Sequence, residues 1–264
     1  MEIKKEWVVI AAVGAAVVAG MLLVGKARAA DLESGRIFAD APVASRGFSW
    51  TGLYVGAHGG YGWGGASTTD NPADWGCGTN TACIAKFVGP FNYDMKGAFG
   101  GGTMGFNQQL GIVVVGLEFD AGWFGIEGKR TSASSTEPYH QNHTVDGGLY
   151  ALPAARLGIA MGKAMFYGKG GYIWIDGEQQ QTTTKPGFFT TTSGRMEGWA
   201  YGGGLEYALG AGWSVKAEYL RIELKDLDAA QTEIVTAPAV GHVFENHTKL
   251  DAINTVKLGL NYKF

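Results

Sequence analysis

The sequence predicts an all-β protein, an eight-stranded antiparallel up-and-down transmembrane β-barrel. Two patterns predict it. Apolar and polar residues alternate in short segments from Trp50 onward, and tight turns alternate with long polar stretches between these segments. Composition agrees, because 43 of the 264 residues are glycine and only 17% are charged. Abundant glycine with 12% aromatic residues and only 7 prolines favours closely packed strands over disorder.

The first 29 residues predict a signal peptide. Lys4 and Lys5 precede an apolar run from Trp7 to Gly25, and Ala27-Arg28-Ala29 supplies the small residues that signal peptidase requires. We expect cleavage after Ala29 or Ala30. The alternative is an uncleaved anchor, since an apolar run of 19 residues could just span a bilayer. Either route exports the rest of the chain.

Residues 30–47 lack periodicity and predict a periplasmic lead-in to a barrel formed by residues 48–264. Removing residues 1–29 shifts the net charge from −3 to −5, because four positive and two negative charges leave. A mildly acidic mature chain gives no reason to expect nucleic acid as a partner. The mature chain has no second apolar run long enough for a membrane helix, so a membrane location requires a closed barrel.

Cys77 and Cys83 predict a disulfide within the first long loop. They lie in a stretch rich in Gly, Asn and Thr, and such a pair in an oxidising compartment forms a bridge. A metal site or a redox-active dithiol is the alternative, but the sequence has neither the C-x-x-C spacing nor further ligands beside it. We therefore expect no metal and no cofactor at this position.

The last segment shows the alternation most clearly. One face carries Asn254, Val256, Leu258, Leu260, Tyr262 and Phe264, and the other carries Ile253, Thr255, Lys257, Gly259, Asn261 and Lys263. The first face suits lipid, and most of the second suits a polar interior. The same alternation is clear in the segments that begin near Leu53, Val113, Leu149 and Trp213, and weaker in three glycine-rich segments at about 96–107, 164–176 and 198–209.

The spacers between the segments fix the strand number. Tight turns are predicted near 108–111, 162–163 and 210–212, and long loops at about 66–93, 127–144, 178–196 and 228–247. Short turns face the periplasm and long loops face outward in bacterial barrels. Four long extracellular loops and three turns join eight strands.

Eight charged residues fall on inward positions: Glu118, Asp120, Arg156, Lys169, Glu206, Lys216, Glu218 and Lys257. The interior of an eight-stranded barrel is just wide enough for side chains, and charges there need partners. We expect an internal ion-pair network that fills the lumen, centred on the multi-donor guanidinium of Arg156. The alternative is a selective ion path lined by the same residues.

Several segments resemble the outer-membrane β-barrel porin family of alphaproteobacteria, which includes small surface antigens and haemin-binding proteins. Phe48-Ser49-Trp50-Thr51-Gly52-Leu53-Tyr54-Val55-Gly56 resembles its opening strand, residues 155–159 and 166–172 its central hairpin, and residues 213–220 and 257–264 its last hairpin. The resemblance covers essentially the whole mature chain. It implies an eight-stranded barrel in the bacterial outer membrane.

The resemblance also implies partners. The aromatic ending, Tyr262 and Phe264, resembles the C-terminal signal that the barrel-assembly machinery recognises. Outer-membrane lipid and lipopolysaccharide are expected neighbours, together with peptidoglycan-side or neighbouring envelope proteins. Members of the family have been linked to envelope integrity, adhesion, haemin binding and weak pore activity, so the resemblance leaves the function open.

The loop histidines give the binding alternative. His140, His143, His242 and His247 lie in the second and fourth predicted loops. They could bind a metal or haemin iron if those loops met above the barrel. The simpler alternative is that all four are solvated.

We expect no enzymatic activity. A lipid deacylase needs Ser, His and an acid on the lipid-facing side, whereas alternation points His58, the only histidine on a predicted strand, inward. Gly60-x-Gly62-x-x-Gly65 and Gly100-x-Gly102-x-x-Gly105 imitate a dinucleotide fingerprint, but neither leads from a strand into a helix. Close backbone approach or bending explains these glycines better.

The sequence thus predicts a structural outer-membrane protein that contributes to envelope integrity and surface contacts. A haemin- or ligand-binding surface protein and a narrow porin-like diffusion channel are the alternatives. Conductance in planar bilayers and a haemin titration distinguish the three.

Overall fold

The computed structural model describes residues 48–70, 79–83, 89–133, 140–183, 189–225, 227–232 and 243–264. The predicted signal peptide and the segment 30–47 lie outside the described residues. Cys77 and the side chain of Cys83 also lie outside them, so the disulfide stays a prediction.

The described residues form eleven strands and one short helix. In chain order these are β1 (Gly52–Asp70), α1 (Thr81–Cys83), β2 (Phe91–Leu110), β3 (Val113–Ala133), β4 (His140–Asp146), β5 (Leu149–Met161), β6 (Ala164–Thr183), β7 (Phe189–Gly210), β8 (Trp213–Leu224), β9 (Leu227–Thr232), β10 (Val243–Leu250) and β11 (Ile253–Lys263). Among these residues, no helix is long and apolar enough to cross a membrane.

The strands close into a ring. The antiparallel order is β1, β2, β3, β5, β6, β7, β8 and β11, and β11 pairs with β1 through Ala57 and Leu260. Short interruptions separate β4 from β5, β8 from β9 and β10 from β11. The two strands of each pair occupy the same position in the ring, one nearer the periplasm and the other nearer the outside. The predicted eight-stranded antiparallel barrel is confirmed.

Three two-residue turns join strands at the periplasmic end; two lie within the predicted 162–163 and 210–212, and the first lies at 111–112, at the end of the predicted 108–111, because β2 continues to Leu110. Gly111 and Gly162 have φ of +66° and +62°, and each occupies the first central position of its turn, as type II′ hairpins require. Ala211 and Gly212 have φ of +48° and +84°, the pattern of a type I′ turn. These turns twist with the strands that they connect.

Much of the four segments predicted as long loops is strand. For example, β3 continues to Ala133 and β4 begins at His140, within the predicted loop 127–144. The polarity of the strands reverses there, because inward Phe124 and Ile126 are apolar and outward Glu127 is polar. The strands therefore extend beyond the lipid-facing band, and described outward residues there, such as Asp94, Glu127 and Glu223, are polar.

The lumen holds three layers of side chains. The extracellular apolar layer contains Ala66, Tyr93, Met95, Phe124, Ile126, Tyr150, Leu152, Ala154, Ile173, Ile175, Met196, Ala200, Leu220, Ile222, Leu224, Leu250 and Ile253, with Phe99 against it. The periplasmic apolar layer contains Trp50, Val114, Ala160, Met165, Tyr167 and Ala208, with Phe48 against it. The charge layer, which lies between them, contains the eight charged residues predicted to point inward.

Candidate functional site: the lumen

Six strands supply the charge layer. Glu118 and Asp120 come from β3, Arg156 from β5, Lys169 from β6, Glu206 from β7, Lys216 and Glu218 from β8, and Lys257 from β11. Strand alternation points all eight side chains into the lumen, where each residue is at most 4% exposed. Direct cross-strand neighbours include Glu206 with Lys216 and Lys257 with Glu218, so opposite charges lie side by side on the inner face of the wall.

Glu118 and Lys169 form the centre of this layer. Glu118 Oε1 lies 2.6 Å from Lys169 Nζ and 3.0 Å from Lys216 Nζ, and Glu118 Oε2 lies 3.2 Å from Arg156 Nη1. The hydroxyl of Tyr54 donates a further hydrogen bond of 2.6 Å to Glu118 Oε2. Arg156 pairs with two carboxylates and Lys169 with three, so the expected central position of Arg156 belongs to Glu118 and Lys169 instead.

Lys169 occupies a position that resembles a cation site. One carboxylate oxygen each of Glu118, Asp120 and Glu218 lies within 4.8 Å of the others. Lys169 Nζ is 2.6 Å from Asp120 Oδ2 and 3.4 Å from Glu218 Oε1. Lys257 Nζ bridges the same two carboxylates at 2.7 and 2.6 Å. Ammonium groups of the chain itself therefore neutralise this acidic cluster.

Arg156 is held from several sides. Its Nη1 lies 3.0 Å from Glu206 Oε2, and its Nε donates a 2.9 Å hydrogen bond to Asn107 Oδ1. The guanidinium carbon lies 4.8 Å from the ring centroid of Tyr54 and 5.0 Å from that of Tyr167. A planar cation between two aromatic faces gains cation–π stabilisation in addition to its ion pairs.

Uncharged lumen residues complete the layer, and the sequence does not distinguish them from other inward residues. Ser214 and Asn261 donate hydrogen bonds of 2.6 and 2.9 Å to Glu206 Oε1, and Tyr167 donates one of 2.9 Å to Glu218 Oε2. Their inward position was the only signal that could have identified them. They satisfy carboxylate oxygens that the lysines leave open.

His58 links the charge layer to the extracellular apolar layer. Thr103 Oγ1 donates a 2.5 Å hydrogen bond to Asp120 Oδ1, so the proton between Thr103 and His58 Nδ1, 2.8 Å apart, belongs to the histidine. His58 Nε2 then accepts from the hydroxyl of Tyr150. The histidine lies inside the lumen, 8% exposed, and its ring nitrogens are both engaged there.

The periplasmic mouth is closed by the residues that precede β1. Trp50 is 2% exposed and packs edge-on against Phe48, with ring centroids 4.9 Å apart. Its indole Nε1 donates a hydrogen bond of 3.3 Å to the carbonyl of Gly162. Lys263 Nζ donates to the carbonyl of Ser49 and lies 4.5 Å from the ring centroid of Phe48. The segment 48–50 therefore lies across the opening and is fastened to the C-terminal strand.

The loop histidines are only partly described. The backbones of His140 and His143 lie on β4 and that of His247 on β10, with β1, β2 and β3 between those strands. The four side chains and all of His242 lie outside the described residues. Binding of haemin or a metal by these residues therefore stays a prediction.

Tyr262 and Phe264 lie on the outward face at the periplasmic end. Their ring centroids are 5.3 Å apart, and Tyr262 lies 5.1 Å from Trp213. These three rings form part of an aromatic girdle at the membrane boundary. Recognition of the aromatic ending by the assembly machinery stays a prediction.

Comparison with known proteins places the chain in a family. The family model described as "Outer membrane protein beta-barrel domain" matches residues 36–264, which is most of the chain. The chain belongs to this family. Membership agrees with the closed ring of strands, and it locates the protein in the bacterial outer membrane.

Two curated relatives are similar to this chain over most of their length. They are the 31 kDa outer-membrane immunogenic proteins of Brucella melitensis biotype 1 and Brucella suis biovar 1. Each is 28% identical over 228 residues, which cover 85% of this chain and 87% of the relative. The resemblance to alphaproteobacterial surface antigens is thereby confirmed.

Solved structures share only a general likeness with this member of the family. Ail of Yersinia pestis is 13% identical with a TM-score of 0.37, covering 81% of this chain and 99% of that one. OprG of Pseudomonas aeruginosa is 11% identical with a TM-score of 0.48, covering 81% and 97%. The protease OmpT of Escherichia coli is 11% identical with a TM-score of 0.46, covering 82% and 98%. Similarity at this level carries no argument about activity.

Proposed function

We propose that the protein is a sealed structural barrel of the outer membrane, which contributes to envelope integrity and carries loops for surface contacts. The observation that supports this proposal is the layered lumen. The charge layer lies between two apolar layers, and the periplasmic apolar layer includes Trp50, which lies across the periplasmic mouth. A barrel filled in this way supports its own wall.

The layered lumen argues against the channel alternative. An ion that crossed it would lose its hydration among side chains such as Ile126 and Ile175, which are 1% and 0% exposed. The charges between the apolar layers are already paired at distances of 2.6 to 3.4 Å. An eight-stranded lumen has room only for side chains.

The strand extensions support a role at the cell surface. Outward residues such as Asp94, Glu127 and Glu223 are polar and exposed, so this part of the wall suits water rather than lipid. The Brucella relatives are named as immunogenic proteins of the outer membrane. We extend surface exposure of the loops to this chain on that basis.

Single-channel conductance tests the proposal. Refolded protein in a planar bilayer is expected to give no conductance steps, while a general-diffusion porin refolded in the same way serves as the positive control. Steady steps that scale with salt concentration would overturn the sealed barrel. A deletion strain is expected to leak periplasmic protein or to admit large antibiotics, and an unchanged envelope would contradict the contribution to integrity.

A further inference from the structure

Three aromatic rings form a platform on the outward face of β6 and β7, near the extracellular edge of the lipid-facing band. The ring centroid of Tyr172 lies 5.3 Å from that of Trp174 and 5.2 Å from that of Trp199. Tyr172 and Trp199 are direct cross-strand partners, and Trp199 is 63% exposed. The platform therefore presents ring surface to the outer leaflet.

Cations border this platform. Arg195 on β7, Arg221 on β8 and Lys225, which follows β8, lie on the same outward face. Lys225 Nζ is 5.7 Å from the ring centroid of Tyr172. The other outward cations with described side chains in the extracellular half are Lys96 on β2 and Lys249 on β10. The face therefore carries three cations beside the rings, matched in number by the outward carboxylates Asp176, Glu197 and Glu223.

Neighbouring carboxylates orient these cations. Lys225 Nζ lies 2.6 Å from Glu197 Oε1, and Arg221 Nε lies 3.1 Å from Glu223 Oε1. The side chains of Lys225 and Arg221 are 63% and 44% exposed, and exposed pairs of this kind bind weakly enough for a cation to take a second anionic partner. The hydrogen bond to Glu197 raises the pKa of Lys225, so its amine stays protonated at neutral pH.

We propose that this face, bounded by Tyr172, Trp174, Trp199, Arg221 and Lys225, binds the phosphorylated sugar headgroup of an outer-leaflet glycolipid of the lipopolysaccharide class. Aromatic rings present apolar faces on which the C–H groups of a pyranose can pack, and Arg and Lys bind phosphate through charge-assisted hydrogen bonds. The acyl chains then lie against the lipid-facing wall below. The site depends on the outer-membrane location and not on the sealed lumen, so it holds whether or not the barrel conducts.

Native mass spectrometry of the refolded mature chain tests the site. Protein is mixed with bisphosphorylated lipid A, dephosphorylated lipid A or phosphatidylglycerol, and retained lipid is counted after detergent exchange. We expect the wild type to retain bisphosphorylated lipid A. The double variant Arg221→Gln/Lys225→Gln is expected to retain on the order of a hundredfold less, because each of the two lost hydrogen bonds between charged groups contributes about tenfold.

Matched variants separate the site from general surface charge. Lys96→Gln on β2 is expected to retain lipid A as the wild type does, and Trp199→Leu to retain less. Excess inorganic phosphate is expected to leave the bound glycolipid in place. All variants change exposed outward residues, and heat-modifiable gel mobility verifies that each has folded. Equal retention of dephosphorylated lipid A or phosphatidylglycerol, or an equal loss in Lys96→Gln, would overturn the proposal.

Discussion

The indole of Trp50 and the backbone of Gly162 join opposite sides of the barrel through a hydrogen bond of 3.3 Å. Trp50 precedes β1, whereas Gly162 lies in the turn between β5 and β6, with β2 and β3 between them in one direction around the ring and β7, β8 and β11 in the other. One side chain therefore spans the periplasmic mouth. This contact ties the start of the barrel to its far wall.

Removing the Trp50 ring is expected to destabilise the barrel. Trp50→Ala should lower the free energy of unfolding by about 3–5 kcal/mol, because it empties a packed site that is 2% exposed. Trp50→Phe keeps most of the ring volume and loses the hydrogen bond to Gly162, so about 1 kcal/mol of its loss comes from that bond. Urea unfolding in lipid vesicles, followed by circular dichroism, measures both. An unchanged midpoint for Trp50→Ala would contradict the importance of this contact.

Neutralising Glu118 is expected to leave buried cations without sufficient negative charge. Glu118→Gln retains the side-chain shape but removes the charge that faces Lys169, Lys216 and Arg156. Breaking one partner of a buried pair costs about 3–5 kcal/mol. Glu223→Gln is the control, since its pair with Arg221 is exposed and such pairs contribute about 0–1 kcal/mol. Equal losses of unfolding free energy in the two variants would show that burial does not matter here.

Arg156 is expected to need its planar shape as well as its charge. Arg156→Ala should convert to the slow-migrating unfolded form on gels at a lower temperature than the wild type. Arg156→Lys should restore little, because an ammonium cannot donate to Asn107 and Glu206 in the same plane while it lies between the rings of Tyr54 and Tyr167. Full recovery in Arg156→Lys would assign the role to charge alone.

Two glycines are expected to respond in opposite ways to an added methyl group. A Cβ at Gly101 would lie 2.1 Å from the backbone oxygen of Ala121, which the neighbouring strand cannot move without breaking its pairing. A Cβ at Gly170 meets nothing within 4 Å. Gly101→Ala should therefore abolish refolding, and Gly170→Ala should refold as the wild type does. Yields of the heat-modifiable form compare them, and refolding of both variants would rule out backbone contact as the reason for glycine at Gly101.

The alternation of side chains made the wall and its inward charges predictable. Glu118, Asp120 and Lys216 follow the same period as their lipid-facing neighbours, and a two-residue period has only two faces. Which charges pair with each other was not predictable. Lys169 on β6 and Glu118 on β3, for example, contact each other inside the lumen although β5 lies between their strands. Which strands face each other depends on the whole ring.

Other features of the lumen gave weaker signals. Phe124 and Ile126 continue the inward face of β3 with apolar residues. The rule that inward residues are polar therefore identifies the inward face of β3 only as far as Gly122. Trp50 lies at the very start of the alternating region, before the first clear segment near Leu53, so no pattern distinguishes a mouth-closing tryptophan from a girdle residue. Both cases require knowledge of what lies opposite the side chain.

The reversal of polarity along β3 sets how deep the protein is immersed. The outward residues change from apolar Trp123 to charged Glu127 within four positions, while the inward residues between them, Phe124 and Ile126, are apolar. Beyond this switch at Glu127 the strand continues to Ala133 and rises roughly 15 Å along the membrane normal at the usual rise and tilt. The outer face of one continuous sheet thus contacts lipid below the switch and water above it. The extracellular ends of the strands extend beyond the bilayer without a separate domain to carry them. Shifting the switch by two residues would raise or sink the whole molecule by about 5 Å.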